Sequence, residues 1–201
     1  MPAESHQVTL LHLSDFHFGD EHRFGDDADQ NAPALVDSLH EDFEQLDDLD
    51  RPPILALTGD FTCKATTEEF DAAKSFLDGL LKRPILGHSL ARDDVFFVPG
   101  NHDTQWDKDF DSRFVNFCNF HNYLRGKDPV FARNANQLNR AHDLVRERGV
   151  VLVEINSCAH INVNSEERNR GRTDLKIGKT LYDQSSEYTT NGAANSTIKV
   201  A

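Results

Sequence analysis

Basic charge, cysteine and long apolar runs are all scarce in this chain, and each scarcity excludes something. Lys and Arg number 21 against 34 Asp and Glu, a formal net charge of −13. A surface so acidic repels a polyanion over most of its area, so nucleic acid is an unlikely partner. A small phosphate ester at a metal site stays compatible with that charge, because bound cations reverse the local field. The three cysteines, Cys63, Cys118 and Cys158, are far apart and form no CxxC or zinc-finger spacing. Reduced thiols in a cytoplasm fit that usage. No stretch approaches the run of about 18 apolar residues that spans a bilayer, and MPAESHQ at the start lacks a basic then apolar leader. The expectation is a cytoplasmic protein with no membrane partner.

At 201 residues the chain has room for one full-sized domain with its own core. Residues 1–182 read as that domain and 183–201, rich in Ser, Thr, Asn and Ala, as a poorly ordered polar tail. Inside the domain a strand–helix rhythm repeats. Val8 to Leu13 and Ile54 to Leu57 are apolar runs of strand type, and Val95 to Val98 is a third. Between them, Pro33 opens a helical pattern through Leu49, and Thr66 with Glu69 forms a capping box before a helix carrying Phe70, Phe76, Leu77 and Leu80. Phe110, Phe114, Phe117, His121 and Leu124 predict a further helix whose aromatic stripe packs into the core. Asn136 to Arg148 reads as a weaker helix ending at Gly149, and Val150 to Ile155 as a fourth strand. The fold class is α/β with a parallel sheet.

Each of the first three strands stops at a polar break: Ser14 and Asp15 in LLHLSDFH, Gly59 and Asp60 in ILALTGD, and Gly100 to Asp103 in VFFVPGNHD. In open α/β sheets the carboxyl ends of the strands are where ligands bind. Asp15 and His17, two apart on an extended loop, would face one cation. Asp60 is the natural bridging carboxylate, with Gly59 allowing close backbone approach, and Asn101 offers a neutral oxygen to a second ion. Two divalent ions about 3.5–4 Å apart would clamp a phosphate and activate a water. His102, its ring held by Asp103, would act on the leaving oxygen. Turns favour Asp, Asn and Gly in any case, but they do not require a histidine at both the first and the third break.

The ordered set DFH, GD and GNHD, each after an apolar strand, resembles the calcineurin-like metallophosphoesterase superfamily, and the contexts LSDFHFG and LALTGDFT resemble its cyclic-nucleotide phosphodiesterase-like branch. That resemblance implies an αββα sandwich around a dinuclear centre of manganese, iron or zinc. It assigns Asp15 and His17 to the first ion, Asp60 to both, Asn101 to the second, and catalysis to His102 with Asp103. The chain departs from the pattern in having no GHxH motif. His88 comes before GNHD, in the wrong order, and His160 stands alone. His6, His12, His22, His40, His121 and His142 have structural or surface readings. The expectation is therefore the N-terminal part of such an enzyme. It would be a metal-dependent phosphoesterase with a small phosphate-ester substrate, or a catalytically silent binding module keeping half of the site. Its incomplete sheet would expose apolar surface to self-association or a partner.

Overall fold

The computed structural model describes residues 7–19, 28–109, 112–126 and 139–158, together with Asp183. The elements run β1 (Leu10–Leu13), α1 (Ala28–Phe43), β2 (Ile54–Thr58), α2 (Thr67–Leu81), β3 (Val95–Val98), α3 (Val115–Arg125), β4 (Arg140–Leu144), α4 (Val145–Arg148) and β5 (Val150–Glu154). The polar tail, His6, His22, His160 and Phe110 lie outside the described residues.

β1, β2 and β3 form one parallel sheet in that order, with Leu11 opposite Leu55 and Leu55 opposite Val95. The two-residue period of the strands sorts their side chains. Leu55, Leu57, Val95 and Phe97 enter the core built with α2 and α3, whose Phe70, Phe76, Leu77, Phe117 and Phe120 are buried. Ile54 and Phe96 point the other way, onto Val150 and Leu152 of β5. The order of layers is thus helices, parallel sheet, then a two-stranded sheet of β4 and β5. The α/β expectation holds, and so does the capping box. Thr66 Oγ1 accepts from the Glu69 N–H at 3.3 Å, and Glu69 Oε2 accepts from the Thr66 N–H at 3.0 Å.

Two expectations are corrected. α1 begins at Ala28, five residues before Pro33, and ends at Phe43 rather than Leu49. A proline there forfeits only its own bond back toward residue 29, which a packed helix tolerates near its start. Arg140 to Leu144, expected as helix, is a strand. It pairs antiparallel with β5 from Arg140 opposite Glu154 to Leu144 opposite Val150, and only the single turn α4 survives of the helix. Gly149, at φ 75°, turns the chain back into β5, which is therefore not a further strand of the parallel sheet. Ile54, Ala56 and Phe96 are buried, and the exposed large hydrophobics among the described residues are Leu46 and Tyr123.

Among the described residues β3 is the last strand of its sheet, and side chains occupy its outer edge. Glu154 Oε1 accepts from the Phe97 N–H at 2.9 Å, and Arg125 donates to the Val95 carbonyl. Such side-chain pairing removes the template that an open edge offers.

Candidate metal centre

The loops that follow β1 and β2 continue side by side after the strands end. Asp15 N–H donates to the Gly59 carbonyl at 3.3 Å, His17 N–H to the Asp60 carbonyl at 2.9 Å, and Phe18 N–H to the Phe61 carbonyl at 2.8 Å. Phe16 and Phe18 sink into the core, where their rings lie 5.8 Å apart and stacked, and Phe16 also stacks on Phe61 at 5.7 Å. With the intervening apolar side chains anchored inward, Asp15 and His17 are presented outward, beside Asp60. Their convergence does not come from an extended loop. Asp15, His17 and Asp60 all have positive φ, 61°, 51° and 53°. Such conformations are costly for residues with a Cβ and cluster at functional sites.

Two glycines bring the ends of β2 and β3 together. A Cβ at Gly59 would lie 2.5 Å from the Gly100 nitrogen, and a Cβ at Gly100 would lie 2.0 Å from Asp60 Oδ1. The space a side chain would fill is taken by the Asp60 carboxylate. Its Oδ1 accepts from the His102 N–H at 3.0 Å, and its Oδ2 faces His17 Nε2 at 3.9 Å. His17 Nε2 lies 3.8 Å from Asp15 Oδ1. The three ligand atoms all fall within 4.8 Å of one another.

These separations exceed hydrogen-bond length. The 3.8 and 3.9 Å gaps from His17 match the spacing of about 3–4 Å that two donors, each about 2.1 Å from a shared ion, leave between themselves. One imidazole nitrogen with two carboxylate oxygens suits manganese, iron or zinc. The donor set therefore fits a divalent cation, with Asp60 the deepest member and Asp15 the most exposed, at 17% and 67% side-chain exposure.

Asn101 is half-buried between Gly100, which abuts Asp60, and His102, which bonds to it; the Asn101 carbonyl accepts from Trp106 Nε1 at 2.9 Å. The His102 ring stands edge-on to His17, centroids 4.7 Å apart. Its Nδ1 is 2.9 Å from the Cys63 carbonyl, which makes Nδ1 the protonated nitrogen and leaves Nε2 for other partners.

Asp103 does not hold that ring, contrary to the sequence expectation. It is fully buried and clasps two loops: Oδ1 accepts from the Thr62 N–H at 3.0 Å and lies 2.9 Å from the Thr62 hydroxyl, while Oδ2 accepts from the Gly100 N–H at 2.9 Å. Burial pushes its carboxyl up to about 7, against the Gly100 N–H and the Thr62 hydroxyl, which hold it down.

Sequence reasoning missed Thr62 and Cys63. Both directly follow the GDF segment, so their position was visible, but a threonine and a cysteine carry no spacing signal of their own. Four of the histidines set aside earlier are bonded within the described fold. His40 Nε2 lies 3.1 Å from the Leu80 carbonyl, His88 Nε2 2.6 Å from the Leu49 carbonyl, His12 Nε2 2.5 Å from Thr58 Oγ1, and His142 Nε2 2.7 Å from Glu154 Oε2.

A parallel sheet whose carboxyl edge gathers an Asp–His–Asp cluster beside a second histidine is an α/β arrangement with a candidate metal site. Its family is shown by similarity along most of the chain. The family model for calcineurin-like phosphoesterases matches residues 8–186, and the chain belongs to that family. No curated protein matches it. Among the described residues no helix is long and apolar enough to cross a membrane.

Proposed function

We propose that the chain is a metal-dependent phosphoesterase that hydrolyses phosphodiesters in preference to phosphomonoesters, as in the cyclic-nucleotide phosphodiesterase-like branch of its family. The observation that carries this reading is the convergence of Asp15, His17 and Asp60 within 4.8 Å, with the His102 ring 4.7 Å from that of His17. Asp15 and His17 would hold one divalent ion, Asp60 would serve two, and Asn101 would hold the second. Such an ion pair would supply Lewis acidity and a water that is nucleophilic at neutral pH. His102 meets the ester through Nε2, since Nδ1 is engaged by the Cys63 carbonyl. There, after Nε2 has taken up a proton from water, it would pass that proton to the leaving oxygen.

The second reading is a binding module that holds metal without turnover. One observation favours it: among the described residues a single group of three or more His, Cys, Asp and Glu comes together. An assay with manganese on an aryl phosphodiester and on the matching monoester decides. The phosphoesterase hydrolyses the diester. His102→Ala lowers its turnover by about 10²–10⁴-fold with metal affinity kept, while Asp60→Asn loses both. A chain that binds manganese and turns over neither ester is the binding module, and undiminished turnover in His102→Ala removes that residue from the mechanism.

A further inference from the structure

The Thr62–Cys63 dipeptide touches three of the elements around the centre and contributes no ligand to it. Thr62 Oγ1 lies 2.9 Å from the His102 carbonyl and 2.9 Å from Asp103 Oδ1, and it accepts from the Ala65 N–H at 3.2 Å. Cys63 accepts His102 Nδ1 on its carbonyl at 2.9 Å, while its thiol lies 3.0 Å from the His17 carbonyl. The Cys63 N–H in turn donates to the Phe18 carbonyl at 3.1 Å. One short segment thus grips His102 at its backbone and at its ring, and grips His17 at its backbone.

We propose that Thr62 and Cys63 are positioning residues that orient His102 for the phosphoester, fixing its ring with Nδ1 protonated and locking it to His17. Their service to catalysis rests on the phosphoesterase reading; the orientation itself does not. The ring acceptor is a peptide carbonyl, whose place is set by the backbone of residue 63. That backbone is held by the thiol contact on one side and by the Thr62 hydroxyl on the other. Removing either contact loosens the acceptor, which the Phe18 carbonyl still holds through the Cys63 N–H, and the ring loosens with it. Displacing a reacting group by about 1 Å can cost on the order of 10²-fold in rate.

The test is ¹⁵N NMR of the histidine side chains in metal-free protein at a pH where the rings are neutral, with His102 assigned by its loss in His102→Ala. The wild type shows His102 protonated on Nδ1. Cys63→Ala and Thr62→Val give a mixed or shifted tautomer and lower kcat on an aryl phosphodiester by roughly ten- to a hundredfold, with little change in KM. Cys63→Ser and Thr62→Ser, which keep a donor, restore both signatures. A wild-type His102 protonated on Nε2 overturns the proposal, and so do alanine and valine variants with the wild-type resonance and kcat. The wild-type tautomer is read without any change at Thr62 or Cys63, so a variant there that fails to fold does not shelter the proposal. A chain without turnover whose Nδ1–H signature still depends on Cys63 and Thr62 keeps the positioning role and loses the phosphoesterase reading.

Discussion

At the scale of single residues the centre depends on backbone conformations that side chains rarely adopt. Asp15, His17 and Asp60 hold positive φ because the paired loops and the buried Phe16 and Phe18 leave them no alternative. Gly100 is the tightest point, with Asp60 Oδ1 where a Cβ would be. Gly100→Ala therefore displaces the carboxylate or the turn. The expected outcome is a loss of about 1–3 kcal/mol in stability by thermal or denaturant unfolding, with weaker metal binding by calorimetry. The candidate ligands Asp15, His17 and Asp60 were legible in the sequence because an apolar run broken by Gly, Asp and His shows itself in a few residues. The partner of His102 was not. Asp103, its chain neighbour, looked like the orienting group, yet the fold turns that carboxylate inward to Thr62 and Gly100 and gives the ring a peptide carbonyl. Backbone acceptors leave no mark in a sequence.

At the scale of elements, legibility followed how strongly each segment states its period. β2 and α2 appear where their patterns put them, down to the reciprocal bonds of Thr66 and Glu69. Arg140 to Leu144 went the other way because its few apolar residues suit either period, and the valine-rich β5 beside it supplies a ladder to join. α1 and α2 pack through a titratable contact, His40 to the Leu80 carbonyl. Burial is the main cause that holds the His40 imidazole below its ordinary range, with Arg83 adding to it. Because the native state favours the neutral ring, this contact stabilises fully above the unfolded-state value of about 6.5 and is lost as pH falls through the lower folded-state value. His40→Gln keeps an N–H donor and does not titrate. The variant is expected to lose less stability than the wild type between neutral and mildly acidic pH, as read by denaturant unfolding at several pH values; parallel profiles would remove His40 from the acid response.

At the scale of the whole molecule, the helices, the parallel sheet and the β4–β5 pair serve to aim three loops at one point. The formal net charge of −13 makes the point a poor place for further carboxylates unless cations are bound. An ion that binds the native state and not the unfolded chain stabilises it by about 2.7 kcal/mol at a hundredfold excess over Kd, which for a domain of this size is roughly 5–10 °C in Tm. The most direct measurement is the thermal unfolding of the chain stripped with chelator and then supplied with manganese, beside Asp60→Asn treated the same way. The account predicts a rise of several degrees for the wild type and little or none for Asp60→Asn. Superimposable wild-type curves with manganese and with chelator would contradict it.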